Sequence, residues 1–327
     1  MSKTTKNTTP KNVTSPIIPK ASSAKETAPK ADIVLFVSAI ASNPNGDPDD
    51  EGRPRLTDDS HALMTSNSIK RKIRNTIEFY RTTDGVDMFA DNKDINLIFV
   101  RPGTVRTEQI KQSIDLKKCP SVEKALSAKD SSEDKKKATP VTREDRAYVA
   151  DQLCEKFFDV RAFGLVLGTV GVLTGAVQIE HAISVNELYI NDRTITTCQV
   201  ANKSEAESKD RSMGRQSGVE YALFPIVIHV NSIVAAQNGF TRKDYENVIT
   251  LLKEIWDVTN SSVRNLQYEK MFIFEHENMR GNMPMKDIRE AIKIKQNVER
   301  PKSFADFEVS VDTKLVSKFK GVNVIEY

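Results

Sequence analysis

Residues 33–40 read IVLFVSAI, and residues 42–59 follow with SNPNGDPDDEGRPRLTDD. The first stretch is a short apolar run rich in β-branched residues and bounded by turn residues, which predicts a buried strand. The second holds six carboxylates, three prolines and two glycines, a composition typical of a loop. An acidic loop directly after a buried strand leaves three alternatives for its role: a metal site, a nuclease centre or a nucleic-acid contact.

Helix and strand patterns alternate along the rest of the chain. Residues 66–80 carry an apolar stripe at helical spacing, with Ser66 or Asn67 as the predicted cap. The best helical pattern spans 241–265, where Thr241 is the predicted cap. The remaining predicted elements are a short strand at 97–101, a helix at 148–158 and strands at 176–185, 222–232 and 271–277.

The order of these elements predicts an α+β fold. Strand, helix, long insertion, strand, excursion, strand, helix and strand correspond to the βαββαβ order of a ferredoxin-like or RRM-like domain. Such sheets often bind single-stranded RNA, although the fold alone does not establish this function. The predicted divisions are a disordered basic tail at 1–31, the first part of the domain at 32–102, an insertion at 103–174, the second part at 175–280 with an excursion at about 192–219, and a C-terminal segment at 281–327.

Bulk composition narrows the class of protein. The chain has 327 residues and a formal net charge of only +3, so total charge does not identify a nucleic-acid binder. Its three cysteines are far apart and form no CxxC pair, which argues against a disulfide framework or a zinc knuckle and favours a cytoplasmic protein. No apolar run reaches the roughly 18 residues of a membrane span, and no signal peptide is expected. No cofactor or metal is predicted.

The helix predicted at 66–80 begins with a cluster of cations. Lys70, Arg71, Lys72 and Arg74 crowd its first half, where positive charge opposes the helix dipole. Lys70 and Arg74 stand one turn apart with no acid between them. A solvated basic face is the alternative, but a bound phosphate chain relieves both the repulsion and the mismatch with the dipole. The cluster therefore favours nucleic-acid contact.

The acidic loop fits a metal site poorly. Asp47, Asp49, Glu51, Gly52 and Asp58 fall on positions 1, 3, 5, 6 and 12 of an EF-hand-like count. A strand precedes the loop where an EF-hand has a helix, prolines stiffen it, and aspartate replaces the usual bidentate glutamate. A nuclease using Asp47 or Asp49 is the enzymatic alternative, although no partner His or Lys is suitably spaced. Pairing of the acids with neighbouring arginines is the structural alternative.

Two further stretches have open interpretations. Residues 164–175, GLVLGTVGVLTG, match neither a P-loop nor a dinucleotide-binding fingerprint, so their glycines predict tight turns or close backbone approach. Arg161 is equally compatible with a core ion pair and an RNA contact. The excursion at 192–219 is either an ordinary surface loop or a projecting hairpin. His181, His229 and His276 are predicted to be strand residues rather than ligands.

Five sequence blocks together resemble a known family. They are NPNGDPDDEGRPR (43–55), SNSIKRKIRN (66–75), FFDVRAFG (157–164), GAVQIEH (175–181) and MGRQSGVEYALF (213–224). In this order and spacing they resemble the repeated backbone subunit of type I CRISPR interference complexes (Cascade), with the I-B and I-C branch the most similar. The resemblance runs from about residue 32 to about residue 280. The basic tail and the divergent middle insertion depart from the family.

The resemblance implies an RRM-like palm with a finger-like helical insertion and a thumb hairpin at 192–219. Several copies bind one CRISPR RNA (crRNA), which pairs with target DNA, and other Cascade subunits complete the complex. The loop brings backbone close to RNA, the basic helix holds phosphates, and Met213 or a neighbour displaces a guide base. The RNA-binding residues implied are Asn43, Asn45, Gly46, Arg53, Arg55, Ser66, Lys70, Arg71, Arg74, Arg161, Arg211, Met213, Arg215 and Gln216.

The same resemblance keeps one enzymatic alternative open. Type I backbone subunits are not known as nucleases, whereas related type III subunits cut target RNA with an aspartate in a loop near this point. A metal-dependent ribonuclease using Asp47 or Asp49 is therefore the runner-up to a non-catalytic RNA-binding subunit.

Overall fold

The computed structural model describes residues 27–83, 85, 87–89, 96–130, 140–168, 170–197 and 212–327. Most of the predicted basic tail lies outside these ranges. The part that is described is a mixed α/β protein with a largely antiparallel main sheet. Its first strand begins at Lys30, two residues before the predicted start of the folded domain, and Thr27 already makes a bridge to Thr241.

The elements are numbered in chain order. The strands are β1 (Lys30–Ser42), β2 (His61–Met64), β3 (Gly164–Leu167), β4 (Gly171–Thr174), β5 (Val177–Ile179), β6 (Ala182–Glu187), β7 (Ile190–Thr197), β8 (Ser212–Val230), β9 (Leu266–His276), β10 (Ile292–Gln296), β11 (Phe307–Val311) and β12 (Val322–Glu326). The helices are α1 (Ser66–Thr82), α2 (Arg106–Ser113), α3 (Pro120–Asp130), α4 (Arg143–Lys156), α5 (Phe158–Phe163), α6 (Ser232–Asn238), α7 (Arg242–Val258), α8 (Met285–Ala291) and α9 (Thr313–Val316).

The main sheet has the strand order β12-β9-β1-β8-β5, and every neighbouring pair is antiparallel. Strand β1 lies at its centre, where Ile33 is opposite Ile228 on β8 and Ile273 on β9. Strand β7 pairs with the first part of β8, so the two form a hairpin that extends from the sheet. The apolar run at 33–40 therefore forms a buried strand, as its composition predicts, and the pairing places that strand in the middle of the sheet.

Helices α1 and α7 cover one face of the sheet. Side chains alternate between the two faces of a strand, so Ile33, Leu35 and Val37 point together towards the helices. They are fully buried in one hydrophobic cluster with Ile73 of α1 and Trp256 of α7. The apolar stripe of α1 forms as predicted, but Thr65 caps the helix by accepting a hydrogen bond from the Ser68 N–H. Neither Ser66 nor Asn67 is the cap.

The C-terminal segment covers the other face of the sheet. Val34 and Phe36 of β1 alternate with the first set and are buried against Ile288 of α8 and Phe307 of β11. Strand β12 returns to pair with β9 at the sheet edge. This second face of the sheet is therefore covered by the C-terminal segment of the same chain.

The insertion has a core of its own. Helices α2, α3 and α4 and the β3–β4 hairpin bury a separate cluster that includes Phe99, Leu153 and Phe157. The strand predicted at 97–101 is wrong, because only Leu97 makes a single bridge, to Phe157. The helix predicted at 148–158 runs from Arg143 to Lys156, since Thr142 caps it earlier.

Several predicted boundaries also move. The strand at 176–185 is divided into β5 and β6, so His181 lies between strands and is not a strand residue. Strand β8 begins ten residues earlier than predicted because pairing with β7 extends it. The helix predicted to reach residue 265 ends at Val258.

Candidate nucleic-acid interface

The cations of α1 lie in two different environments, one beside a buried aromatic ring and carboxylate and the other in an open cleft. Lys70 and Arg74 lie over the ring of Phe163, at 5.8 Å and 5.4 Å from its centroid. Arg74 is largely buried, and its Nε donates a 2.7 Å hydrogen bond to Asp159. Asp159 also accepts the backbone N–H groups of Phe99 and Val100. Arg74 is thus matched by a buried carboxylate, and burial, followed by Arg74, lowers the pKa of Lys70.

A cleft opens along a different side of α1. Arg71 and Lys72 line it together with Phe79, whose ring is 52% exposed, and Arg264 from the loop that follows α7. The residues that line this cleft, hereafter the α1 cleft, include no carboxylate among those that the structure describes. Three cations and an exposed aromatic ring without an acid are the combination that single-stranded nucleic acid binds through phosphates and stacked bases.

Lys72 is the most perturbed cation of the cleft. Its ammonium donates a 2.9 Å hydrogen bond to Thr259 Oγ1 and lies 6.0 Å from the centroid of the Trp256 ring. Burial, and after it the charge of Arg264, lowers the pKa of Lys72 to about 8. The neighbouring positive charges of Lys72 and Arg264 have no anion between them, which favours the binding of an anion.

The acidic loop is organised by its own side chains. Asp47 begins a short 3₁₀ helix (Pro48–Asp50) and accepts the backbone N–H of Asp49 at 3.1 Å. Arg55 approaches the same carboxylate at 3.2 Å. Both aspartates of the ribonuclease alternative therefore lie in one turn. In the described ranges, no group of three or more His, Cys, Asp or Glu side chains is arranged to hold a metal ion.

The predicted polar residues of the loop–helix junction hold backbone in place. Asn43 is buried, and its side-chain amide donates to the Gly52 carbonyl at 2.7 Å. Asn45 Oδ1 accepts both the N–H and the hydroxyl of Thr65, at 3.0 Å and 2.8 Å. A Cβ on Gly46 would lie 2.8 Å from the Gly52 carbonyl oxygen, so glycine is required there. Asn45 and Gly46 also line the α1 cleft.

Ser66 opens helix α1 beside a histidine. Its backbone N–H donates to His181 Nδ1 at 3.0 Å, which assigns the proton of the neutral ring to Nε2. Ser66 is not one of the residues that line the α1 cleft; Ser68, two residues further along the helix, lines it instead.

Arg53 connects the loop to the β7–β8 hairpin. It pairs at 2.6 Å with Asp192 of β7, which also accepts the Ser217 hydroxyl at 2.5 Å. Beside this pair lies a second cavity, the hairpin cavity, of ≈ 550 Å³. Arg193, Arg215 and Gln216 line it from the two strands. The structure thus brings Arg53, Arg215 and Gln216 together.

Met213 lies further out on the same hairpin. It is 77% exposed and stands opposite Thr196 of β7. An apolar side chain in that position is available to a partner molecule. Arg211, also predicted to bind RNA, lies outside the described residues.

Arg161 is separated from these cavities by its burial. Only 5% exposed, it donates to both carboxylate oxygens of Asp244, at 3.0 Å from Nε and 2.7 Å from Nη2, and also to Asn96. Asp244 is in turn part of the capping box of α7. The alternative of a core ion pair describes the position of this arginine.

Two histidines belong to a polar network at one end of the sheet. Asp32 faces His229 Nδ1 at 2.7 Å and His276 Nε2 at 3.0 Å, and His229 Nε2 lies 2.9 Å from Glu180. Glu180 also accepts from Arg289 of α8. The hydrogen bond with Asp32 raises the pKa of His229 against the opposing effect of burial.

Sequence patterns missed part of the charged surface. Lys72 belongs to the basic run but stood outside the implied site, and no motif contains Arg264 or Arg193. The only available signal was helical spacing, because Ser68, Lys72, Asn75 and Phe79 recur every three or four residues. Arg264 and Arg193 arrive from elements that are distant in sequence.

Comparison with known proteins gives one strong match. A family model described as "CRISPR-associated protein Cas7" matches residues 29–312. A solved structure described as "CRISPR RNA-guided surveillance complex, pre-nicking" is 18% identical, with a TM-score of 0.41 over 76% of this chain and 79% of that chain. Another, "CRISPR RNA-guided surveillance complex", is 14% identical, with a TM-score of 0.38 over 76% and 70%. No curated protein is similar enough to count as a relative. Within the described ranges, no helix has the length and hydrophobicity of a membrane span.

Proposed function

The chain belongs to the Cas7 family of CRISPR-associated proteins, and we propose that it is the crRNA-binding backbone subunit of a type I interference complex. Copies of the chain assemble along one guide RNA, which pairs with target DNA, and other Cascade subunits bind the same assembly. The chain performs no catalysis in this role. It grips the guide in the cytoplasm and presents its bases.

The fold supports an RRM-like palm. Strands β9, β1, β8 and β5 lie in the order of a βαββαβ sheet, with α1 between the first two strands in sequence and α7 between the last two. The insertion at 103–174 then corresponds to the fingers and the β7–β8 hairpin to the thumb. Because the C-terminal segment covers the sheet, the guide binds along α1 and the loops instead of across the strands.

The α1 cleft is the observation that carries the proposal. Arg71, Lys72 and Arg264 concentrate positive charge where no carboxylate neutralises it among the described residues. A chain of phosphates relieves this repulsion, and Phe79 offers a ring on which a base stacks. Such contacts are independent of base identity, as a subunit that serves many guide sequences requires.

The thumb supplies the contact between copies. The exposed Met213 wedges against a guide base, and Arg215 and Gln216 contact the backbone beside it. The Arg53–Asp192 pair anchors the root of this hairpin to the acidic loop. This ion pair gives Arg53 of the acidic loop a structural role.

Co-purification tests the proposal. The protein is expressed with a CRISPR array and its neighbouring genes, and bound RNA is sequenced for wild type and for a Lys72→Ala/Arg264→Ala variant. Lys293→Ala/Lys318→Ala removes the same charge from the C-terminal segment and serves as the control. We expect one defined spacer-plus-repeat RNA with wild type and control, and loss of RNA and of the high-mass assembly with the cleft variant.

Arg74 is an unsuitable position at which to test RNA contact. Arg74→Ala leaves Asp159 buried without its cation, so loss of RNA in that variant would report misfolding as readily as lost contact. Wild-type protein that carries no RNA, or random RNA carried equally by all three proteins, contradicts the proposal.

A further inference from the structure

Three cavities adjoin one another on the described surface. The α1 cleft and the hairpin cavity are separated by a third, of ≈ 460 Å³, which shares Asn260 with the first and Arg193 with the second. The loop between α7 and β9, residues 259–265, contributes to all three. This loop therefore lies between the α1 cleft and the hairpin cavity and connects them.

The 259–265 loop is held firmly at its base. Val263 O accepts the backbone N–H of Asn43 at 2.7 Å, and Asn265 O accepts that of Ile40 at 3.1 Å. Ser261 and Arg264 bridge the loop by paired backbone hydrogen bonds. Residues 260–264 are exposed, and the side chain of Ser262 makes no hydrogen bond to any residue that the structure describes. The side chains of Asn260 and Ser261 also make hydrogen bonds within the loop, to Asn265 and to the Arg264 N–H, so this exposed loop is held by its own contacts and leaves the Ser262 hydroxyl free.

Charge is distributed along this path in a way that suits a polyanion. Arg264 stands at one end and Arg193 at the other, while the middle offers only neutral hydroxyl and amide groups. The carboxylates on the path belong to the hairpin cavity: Asp192 is paired with Arg53, and Asp50 and Glu51 lie at its exposed rim. A phosphodiester backbone can therefore cross the loop without meeting an unpaired acid in the described middle section.

We propose that the 259–265 loop is a saddle over which the guide-RNA backbone passes from the α1 cleft to the base of the thumb. Asn260, Ser261 and Ser262 donate hydrogen bonds to phosphate and ribose oxygens there. This inference rests on the proposed function and adds a contact surface that no sequence block contains. It also explains why cations from three separate elements, α1, the loop and β7, face connected cavities.

Charge substitution at Ser262 tests the saddle, because no described contact is lost. The affinity of purified protein for a short single-stranded RNA is measured across a salt series for wild type, Ser262→Arg and Ser262→Glu. One added phosphate contact on a single strand changes the slope of log K against log salt by about 0.7. We expect Ser262→Arg to steepen the slope by about that amount and Ser262→Glu to lower the affinity.

A matched pair separates this effect from a general change in net charge. Ser310→Arg and Ser310→Glu alter an exposed serine of β11, away from the path, and should leave slope and affinity at wild-type values. Wild-type protein that binds RNA while all four variants behave alike overturns the saddle and leaves the proposed function standing. Wild-type protein that binds no RNA overturns the proposed function itself.

Discussion

If RNA binds in the α1 cleft as proposed, the lowered pKa of Lys72 makes that binding depend on pH. Burial and the neighbouring Arg264 reduce the pKa to about 8 in the free protein. A phosphate in the cleft stabilises the charged ammonium and raises that pKa, so binding takes up a proton near neutral and mildly alkaline pH. Affinity for RNA must therefore fall as the pH rises through the free-state value.

The size of the effect follows from this pKa. With a value of about 8, roughly nine tenths of Lys72 is charged at about pH 7 and roughly one tenth at about pH 9. If the phosphate contact requires the ammonium, the dissociation constant rises about tenfold between these pH values, or about 1.4 kcal/mol. A smaller rise means that the phosphate contact is shared among Arg71, Lys72 and Arg264.

Fluorescence anisotropy with a short labelled RNA measures this dependence at constant ionic strength. Lys72→Arg is the matched variant, because the pKa of arginine lies above about 12 and the side chain therefore keeps its charge over this whole pH range. Its binding curve should be flat over the range where the wild-type curve declines. Lys293→Arg, on the C-terminal segment, should decline as wild type does.

Two results refute this reasoning. A wild-type affinity that is constant from about pH 7 to about pH 9 shows that the Lys72 charge is not used in binding. An equal decline in the Lys72→Arg variant shows that another group, on the protein or the RNA, titrates instead.

Three predictions concern stability. Asp159→Ala should lower the free energy of unfolding by about 3–5 kcal/mol, since Arg74 is left buried without a partner; an unchanged denaturant midpoint would contradict this. Gly175→Ala should lower the melting temperature well below that of Gly214→Ala, because its Cβ would lie 2.2 Å from backbone atoms, whereas the nearest atom to the second is a side-chain carbon at 3.2 Å; equal melting temperatures would refute the clash. The pKa of His229 is raised in the folded state, so its stabilisation is complete below about pH 6.5 and is lost as the pH rises through the folded value. Urea titrations at about pH 6 and about pH 8 should show this loss in wild type and not in His229→Gln, and identical pH dependence in both would count against it.

Local sequence predicts the central elements well. The β-branched run at 33–40 is the middle of the sheet, and the apolar stripes of α1 and α7 lie against it as their spacing requires. The predictions of these elements are confirmed because the spacing of apolar residues along the chain shows directly which side chains are buried. Predicted boundaries are wrong where a pairing partner determines them. Strand β8 extends to Ser212 because β7 pairs with it, and residues 97–101 form no strand because only Leu97 makes a bridge, to Phe157 between α4 and α5.

For the charged side chains too, the local pattern is predictable from the sequence but the partner of each charge is not. A run of cations on α1 indicates that the helix is basic, but it does not distinguish Arg74, which is paired with Asp159, from Lys72, which lies in an acid-free cleft. The partner of each cation lies far away in sequence. Likewise, Asp244 determines that Arg161 is a core residue, and the two lie 83 residues apart in the sequence.

By itself, the sequence determined the family, the central strand β1, and the two helices α1 and α7 with the basic character of α1, because motifs, alternation and charge are local properties of the chain. Only the tertiary structure decided which cations are free, that the C-terminal segment fills the outer face of the sheet, and that loop 259–265 joins two cationic cavities. Those features depend on contacts between residues distant in sequence, and burial and pairing energies, which select among them, exist only once the chain has folded.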